Sequence, residues 1–497
     1  MAQEPFNQQD AGLRPQSEET IRKAFDLAGQ IHYSHFLSGK NEDAGISLLE
    51  HHYPEDRSDP TDQIQMWIWG SRELGKSHLS WKIKSFAQTN SSETEKKSEV
   101  EEACITWPLH SELRLSAGQK VFSWGKARAW NPQAFIDSPH DPLDSDPSHD
   151  GLVFGGFEYG QKYPPGPDPL QELTFTTLIF PVQERVNEEF GQPKNWNLAG
   201  KLSLLFWNTE IDFVTLKGKS RPERYGFSFS RQLRPRWEFY GDFGMIPNNE
   251  KIFLDQSGDL WEISFPAIYS LWGLQYEGGT VRWTGEYYRN KAGFTPEEMR
   301  SYYQYLHRIT DSQTKGGNNE ALARRLMTLT RKYYHRPDLM QVYAYTEILK
   351  RGFLWIKHLT SSLAGVWNLQ DQSYCLCPQF RYDSPLNLSV GLQGTFAGGK
   401  PFTEFGEKAI RWSVEASLTY SFDLLIYYRS SPNSPGRYLR ERDRYPREAG
   451  QSLRKPDHYP DEPGASSNAP ADHNPREHDY GSPGPLEPDQ NSAGSLR

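Results

Sequence analysis

Residues 411–422 read RWSVEASLTYSF. Trp412, Val414, Ala416, Leu418, Tyr420 and Phe422 fall on one parity. Arg411, Ser413, Glu415, Ser417, Thr419 and Ser421 fall on the other. Successive side chains of a strand point to opposite faces, so this segment, taken as a strand, has one dry face and one wet face along its whole length. Segments of about ten residues with such alternation, separated by turns, are the signature of a strand in a transmembrane barrel, with lipid on one side and a lumen on the other.

The same reading extends along the chain. Trp237, Phe239, Gly241, Phe243 and Met245 alternate with Arg236, Glu238, Tyr240, Asp242 and Gly244. Tyr225, Phe227 and Phe229 alternate with Gly226, Ser228 and Ser230. Val281, Trp283, Gly285 and Tyr287 alternate with Arg282, Thr284 and Glu286. Leu386, Leu388, Val390 and Leu392 alternate with Asn387, Ser389, Gly391 and Gln393. Leu233-Arg234-Pro235 and Asn208-Thr209 are close connections, and Glu277-Gly278-Gly279 is a tight turn, since glycines accept positive φ without steric cost. A soluble sandwich with one wet face also alternates. It does not need so many large aromatics on the dry face or charges on the wet face of nearly every strand.

Composition agrees. Hydrophobic residues are 36% and aromatics 13% of 497 residues, poor in aliphatics for a soluble domain but suited to a barrel with aromatic girdles. No run approaches the roughly 18 apolar residues of a spanning helix. The net charge of −9 and the lack of a basic stripe argue against nucleic acid as a partner. Cys375 and Cys377 share a face if they lie on a strand. Their spacing is too short for a structural zinc site, and with Cys104 they read as small half-buried side chains or, for the pair, a weak redox candidate. The start MAQEPFNQQD lacks the basic and apolar regions of a signal peptide. Since a barrel needs export, the chain reads as a processed form.

The expected fold is all-β, a transmembrane antiparallel barrel of about 18 strands, with 14 to 18 accepted. Residues 1–24 are expected to be a disordered segment, 25–429 the barrel and 430–497 a disordered polar tail, too poor in aliphatics to bury a core. Strands are expected at 25–37, 63–73, 78–89, 103–114, 119–126, 152–159, 172–180, 197–207, 210–218, 223–232, 235–245, 268–277, 280–289, 338–347, 352–363, 373–382, 386–396 and 409–422. Three long insertions stand out, at 38–62, 126–151 and 291–337. The last holds two helix-compatible stretches, Pro296 to His307 and Asn318 to Arg331, with Thr295 as N-cap and Pro296 in the first position.

Leu113 to Pro132, LRLSAGQKVFSWGKARAWNP, resembles the porin-like outer-membrane barrels related to the alginate-export porin family. The matching residues are Gly118, Gln119, Trp124, Gly125, Asn131 and Pro132, followed by Asp137, Asp141, Asp144, Asp146 and Asp150. EYYRNKAGFTPEEM (Glu286 to Met299) and PFTEFG (Pro401 to Gly406) carry weaker likeness. The long polar tail departs from the family. The resemblance implies diffusion rather than chemistry, with the Trp124-to-Asp150 loop narrowing the lumen. A constriction selects by placing opposite charges across a wet neck. Its basic candidates are Arg114, Arg128, Arg236, Arg282, Arg381 and Arg411. Its acidic candidates are Glu112, Asp137, Asp141, Asp144, Glu238, Asp242, Glu286 and Glu415. For each, pairing across strands to fill a wet lumen is the plainer role. Asp141 to Asp146 lacks the glycine and terminal glutamate of a calcium loop, so no metal is expected.

The chain has no G-x-S-x-G, H-E-x-x-H, phosphate loop or C-x-x-C-H, and no cofactor or catalytic residue is expected. The expected function is a porin-like channel of a bacterial outer membrane for small hydrophilic or anionic solutes. Its partners are outer-membrane lipid and small polar solutes or an anionic polymer, with the tail as a contact for a periplasmic partner. The alternatives are a sheath holding a multihaem cytochrome in an electron conduit, which predicts a wide bore, and an outer-membrane hydrolase.

Overall fold

A computed structural model describes residues 21–47, 61–89, 94–136, 141–143, 151–164, 166, 169–314, 320–431 and 434–440. Eighteen strands follow one another around a ring. They are β1 (Ile21–Lys40), β2 (Asp62–Leu74), β3 (Ser77–Thr89), β4 (Thr94–Pro108), β5 (Leu113–Lys120), β6 (Leu152–Lys162), β7 (Leu170–Val182), β8 (Asn195–Phe206) and β9 (Thr209–Gly218). They continue as β10 (Arg224–Arg234), β11 (Trp237–Leu254), β12 (Leu260–Gly278), β13 (Val281–Asn290), β14 (Val342–Arg351), β15 (Leu359–Asn368), β16 (Tyr374–Asp383), β17 (Leu388–Gly398) and β18 (Ile410–Ser431). Each pairs antiparallel with its neighbours in sequence, and β1 closes the ring by pairing with β18 as well as β2. A short β19 (Ser434–Arg440) folds back on the end of β18, outside the ring. Closure leaves no sheet edge, the condition for placing strands in hydrocarbon, where an unpaired backbone group has no water to bond.

The register at the closure places the deciding segment. Ile31 lies opposite Tyr420, Tyr33 opposite Leu418 and Leu37 opposite Val414, all on the outer face. His32 lies opposite Thr419, Ser34 opposite Ser417 and Phe36 opposite Glu415, on the inner face. The outer row is exposed: Leu418 is 44% and Tyr420 45% accessible. Ile64, Phe213, Ile268, Ile348, Leu363 and Val390 are exposed in the same way on other strands. A soluble sandwich would hide these rows in its core. Here they form an outer belt whose matching solvent is hydrocarbon.

This belt sets a directional expectation. Leu392 and Gln393 lie at one depth on opposite faces of β17, opposite Phe380 and Gln379 of β16. Leu392→Arg places a cation in lipid and should destabilise the barrel by about 2–4 kcal/mol. Gln393→Arg, facing the lumen beside Glu415, should cost far less. Refolding in urea with phospholipid vesicles measures both, and equal losses would show that the faces are misassigned.

The two rims differ. Gly75-Lys76, Trp207-Asn208, Pro235-Arg236 and Gly279-Thr280 connect strands at one rim, and Gly279 takes the positive φ (59°) that its turn requires. Both ends of the ring, the start of β1 and the finish of β18, lie at this rim. The opposite rim carries the long connections 121–151 and 291–341.

Several boundaries differ from the sequence reading. β4 occupies Thr94–Pro108 and β5 Leu113–Lys120, in place of 103–114 and 119–126. The segment TEKKSEVEE is too charged to read as a strand, yet it pairs with β3 through a bulge between Lys82 and Ile83. Val121–Trp124 alternates like a strand but leaves the wall once pairing ends at Lys120 and Leu152. β15 begins at Leu359 rather than 352, because Gly352, Leu354 and Trp355 are left-handed. β14 is accordingly Val342–Arg351 rather than 338–347. β1 starts at Ile21, and β18 runs past residue 429 to Ser431.

Within the 291–341 connection lie α1 (Pro296–Thr314) and α2 (Glu320–Tyr333). The expected cap is present in both directions: the Glu298 N–H donates to Thr295 Oγ1 (3.2 Å) and the Thr295 N–H to Glu298 Oε2 (2.7 Å). This is the reciprocal capping box, which satisfies two orphan donors of the first turn. Neither helix is long and apolar enough to cross a membrane. Each instead presents one apolar stripe, Met299, Tyr302, Tyr303, Leu306 and Ile309 on α1 and Ala323, Leu326 and Met327 on α2.

Candidate functional site

After Lys120 the chain turns inward and lies against the inner wall. Gly118 makes the departure feasible: its φ is 133°, and a Cβ there would sit 2.1 Å from the Ala103 carbonyl oxygen. Two buried carboxylates receive the segment. Asp242 of β11 accepts the N–H groups of Lys126 (2.8 Å) and Ala127 (2.7 Å) and the Gln133 side-chain amide (3.1 Å). Glu286 of β13 accepts the N–H groups of Arg128 (2.7 Å) and Ala129 (3.1 Å) and the Tyr240 hydroxyl (2.6 Å). A buried carboxylate is tolerable when several donors replace its water, and each acid here has three. Glycine at 226 and 244 leaves room for the approach. A Cβ at Gly244 would meet the Pro132 carbonyl oxygen at 2.4 Å, and one at Gly226 would meet Gln133 at 2.8 Å.

The side chains of the segment add charge pairs. Lys126 Nζ reaches Glu210 (2.6 Å) and Asp212 (3.2 Å), and Asp212 also takes Lys201 (3.2 Å). Burial pulls the Lys126 ammonium down, but Asp212 and Glu210 outweigh it and hold it above its ordinary value. Arg128 lies 3.3 Å from Glu238 and 5.8 Å over the Tyr240 ring. Trp130 inserts among Tyr288 (ring centroids 5.0 Å, stacked), Tyr343 (5.7 Å) and Tyr345 (6.1 Å).

That aromatic group is the floor of a larger core. The apolar stripes of α1 and α2 pack over inward-facing Tyr240, Leu271, Tyr288, Tyr343 and Val366 of the wall. Tyr302 stacks on Tyr334 at 3.8 Å, and Tyr334 stacks on Phe294 at 4.7 Å. Several of the hydroxyls find the partners that burial calls for. Tyr334 accepts the Leu254 N–H (2.9 Å), and Tyr288 donates to Asp338 (3.0 Å). Tyr343 accepts the Met340 N–H (2.6 Å) and donates to Glu404 (2.7 Å). The inner wall from β11 to β16 is therefore dry over this stretch, where alternation alone reads a wet lumen. The helices form a plug seated in the long-loop mouth.

The candidate constriction residues divide by position. Asp242 and Glu286 turn their oxygens to the loop backbone. Glu238 faces Arg128 and accepts Ser230 Oγ (2.5 Å). Arg282 pairs with Glu347 (3.4 Å), Arg381 with Asp383 (2.8 Å), Arg114 with Glu158 (2.7 Å) and Glu415 with His32 (3.6 Å), all on inward parities. Arg411 is exposed at the start of β18. Arg236 lies in the β10–β11 turn and Glu112, beside His110, in the β4–β5 turn, so both sit on the short-turn rim rather than the wall. Asp141 is exposed and accepts the Leu143 N–H (3.0 Å). Asp137, Asp144, Asp146 and Asp150 lie outside the described residues. Of the motif residues, Gly118 and Gln119 are on β5, Trp124 is buried, and Asn131 Oδ1 accepts the Gln133 N–H (3.1 Å). Gly125 takes φ 127° beside Asp242.

Sequence reasoning put Tyr240 on the wet parity but did not single out Lys126, Glu210, Asp212, Trp130, Tyr288, Tyr343 or Tyr345. Strand parity signals Asp212, between outward Ile211 and Phe213, and the tyrosines as inward. Nothing in the sequence signals what would cover them. Parity also turns Trp67 inward on β2, with Lys84 Nζ 5.0 Å from its ring and His32 against its edge. Three separate stretches of the chain meet here: Trp130, Tyr288 and Phe405 belong to one buried cluster.

No protein-family model and no curated protein sequence matches the chain. Among solved structures it is similar to Wzi of Escherichia coli, an outer-membrane protein involved in group 1 capsule assembly and described as a carbohydrate-binding β-barrel. The two are 12% identical over 80% of this chain and 85% of Wzi, with a TM-score of 0.45. It is also similar to OccAB1 of Acinetobacter baumannii, at 10% identity over 82% of this chain and 100% of that one, TM-score 0.46. OmpF of Salmonella typhi in complex with daunomycin is 10% identical over 80% and 97%, TM-score 0.41. The likeness is one of architecture, and the closed 18-stranded barrel is established by its own strand pairing.

Proposed function

We propose that the chain is a porin-like channel of a bacterial outer membrane, passing small hydrophilic or anionic solutes through a bore that its own loop and helices narrow. The observation that carries this reading is the contrast between the two faces of the ring. The outer face is a continuous apolar belt. The inner face, where the plug does not cover it, carries half-exposed charges of both signs. The paired Arg114 and Glu158, the paired Arg381 and Asp383, and, from two separate pairs, Arg128 and Glu210 are all partly open to solvent. Barrels of 16–18 strands enclose an aqueous channel, and mixed charge on its wall suits polar solutes rather than apolar ones. Short turns face the periplasm in such barrels and long loops the exterior, which puts the plug in the outer mouth.

The resemblance of Leu113–Pro132 to alginate-export porins favours anionic solutes within this class. A sheath for a cytochrome needs a bore wide enough for a second protein. Here the wall from β11 to β16 is covered by the chain itself, which favours the channel.

Purified protein in planar bilayers should show ohmic, salt-dependent conductance. Silence across pH and voltage, in the wild type and after removal of the helices, would end the proposal.

A further inference from the structure

We propose that a proton-sensitive latch holds the helical plug in the mouth: His307 of α1 and the loop acids Glu404 and Glu407 join plug to wall, and the joint weakens as pH rises through neutrality. Its contacts stand independently; its consequence for transport rests on the channel reading.

The β17–β18 loop, residues 399–409, is the joint. Glu407 is buried and takes four contacts. His307 Nε2 lies 3.0 and 3.1 Å from its two oxygens, the Gly45 N–H donates at 2.9 Å and the Phe402 N–H at 2.9 Å. One carboxylate thus ties α1, the β1–β2 loop and its own loop together. The Phe402 ring packs against the His307 imidazole at 4.9 Å. Glu404 is buried, acts electrostatically on Tyr303 of α1, and accepts Tyr343 Oη (2.7 Å) and Asn368 Nδ2 (2.6 Å). Its own N–H donates to Asp371 Oδ2 (2.7 Å).

The charged groups facing the joint are few. His307 faces Glu407 from the loop and Asp311 from its own helix, while the β1–β2 loop offers a backbone N–H at Gly45. Glu404 faces Asp371 of the β15–β16 turn, Lys408 of its own loop, Tyr343 of β14 and Tyr303 of α1. The bond to Glu407 outweighs burial and holds His307 above its ordinary value. Burial pushes Glu404 up to about 7, although Tyr343, Lys408 and Asn368 oppose it and Asp371 adds to it. Burial opposes ionisation of Glu407 too, but His307 and the two backbone donors prevail and hold it low.

The signs agree. The seated plug stabilises neutral Glu404, so its grip is full in acid and falls as pH rises from the ordinary carboxylate range through about 7. The His307–Glu407 ion pair is intact below the ordinary histidine value and is lost as pH rises through the raised one. Glu407 marks the other edge, since its contribution disappears only when pH falls through its lowered value. Between pH 6 and 8, Glu404 alone should shift the seated–released equilibrium about tenfold toward release, and His307 adds in the same direction.

Amide hydrogen exchange of α1, corrected for the intrinsic pH dependence of exchange, reads that equilibrium in the full-length protein. Protection should fall at least about tenfold from pH 6 to pH 8. Glu404→Gln keeps an acceptor for Tyr343 and Asn368 but cannot titrate, and should leave only the slope due to His307. His307→Gln should remove the His307 part, and it carries the test by itself if Glu404→Gln does not fold. Protection of α1 that is flat with pH, or an unchanged slope in the variants, overturns the latch. Bilayer conductance separates the two readings. A pH-dependent α1 in a barrel that never conducts keeps the latch and removes the channel. A conducting barrel with a pH-independent α1 does the reverse.

Discussion

Replacing Asp242 with alanine should free residues 125–133 from the inner wall and raise the conductance of the barrel. The acid is fully buried, and its two oxygens accept three bonds, two of them from backbone N–H groups. Alanine leaves all three donors without this acceptor, at about 1–3 kcal/mol for each buried donor left unmade. The strand does not suffer equally, because β11 keeps its pairing with β10 and β12 through the backbone. The loss therefore falls on the loop, which should detach at this end. Adding Glu286→Ala removes the second seat and should release the segment through Ala129. Asp242→Asn is the informative control. Its carbonyl oxygen can still accept the Lys126 and Ala127 N–H groups, and once the Gln133 amide flips, its own amide can donate to Gln133 Oε1, a buried acceptor without a hydrogen-bond partner. That variant should behave nearly as wild type. Single-channel recording gives the conductance, and trypsin cleavage after Lys126 or Arg128 reports whether the loop has left the wall. An alanine variant with unchanged conductance and a protected loop would show that Asp242 is not its anchor.

The barrel was legible because its rule is strictly local. Parity needs no knowledge of distant residues, and Arg411–Phe422 displays it at every position. Parity failed where a strand is wet on both faces, as in Thr94–Glu102, and where an alternating stretch leaves the sheet, as in Val121–Trp124. The site was legible only by half. Asp242 and Glu286 read correctly as inward-facing acids, but an inward acid in an isolated sequence looks the same whether it faces a solute or caps a loop. Tyrosine adds to the ambiguity, since its ring suits a dry core and its hydroxyl a wet wall. Tyr240, Tyr288, Tyr343 and Tyr345 are inward by parity and dry only because α1, α2 and Trp130 cover them. The helix start at Thr295 was visible from its capping box, a local signal. Where those helices dock is set by contacts across the barrel, such as His307 with Glu407, a hundred positions apart in the chain.

Excising the helical pair should have the largest effect of all, turning a plugged barrel into an open one. The hydrogen-bonded ring does not pass through the helices: β13 and β14 are adjacent and paired from Val281–Lys350 to Arg289–Val342. A short Gly/Ser linker in place of residues 295–338 can therefore join them as an ordinary hairpin. What is lost is the cover over Tyr240, Leu271, Tyr288, Tyr343 and Val366. Most of that newly wetted surface is tyrosine, which tolerates water, so the barrel should fold with reduced thermal stability and unchanged far-UV strand content. The bore should then approach that of an ordinary 18-stranded ring, which encloses an aqueous channel, and conductance should rise several-fold with weaker discrimination by solute size. With no plug left for Glu404, Glu407 and His307 to hold, the part of the pH dependence between 6 and 8 that comes from the latch should disappear. The experiment divides obstruction from support. If the helices only brace the wall, excision will destabilise the ring and leave the conductance of the surviving barrels unchanged. If they fill the mouth, the same cut opens it, and the segment 121–136, still held by Asp242 and Glu286, becomes the narrowest remaining feature, so that removing both seats in the excised barrel should widen it once more.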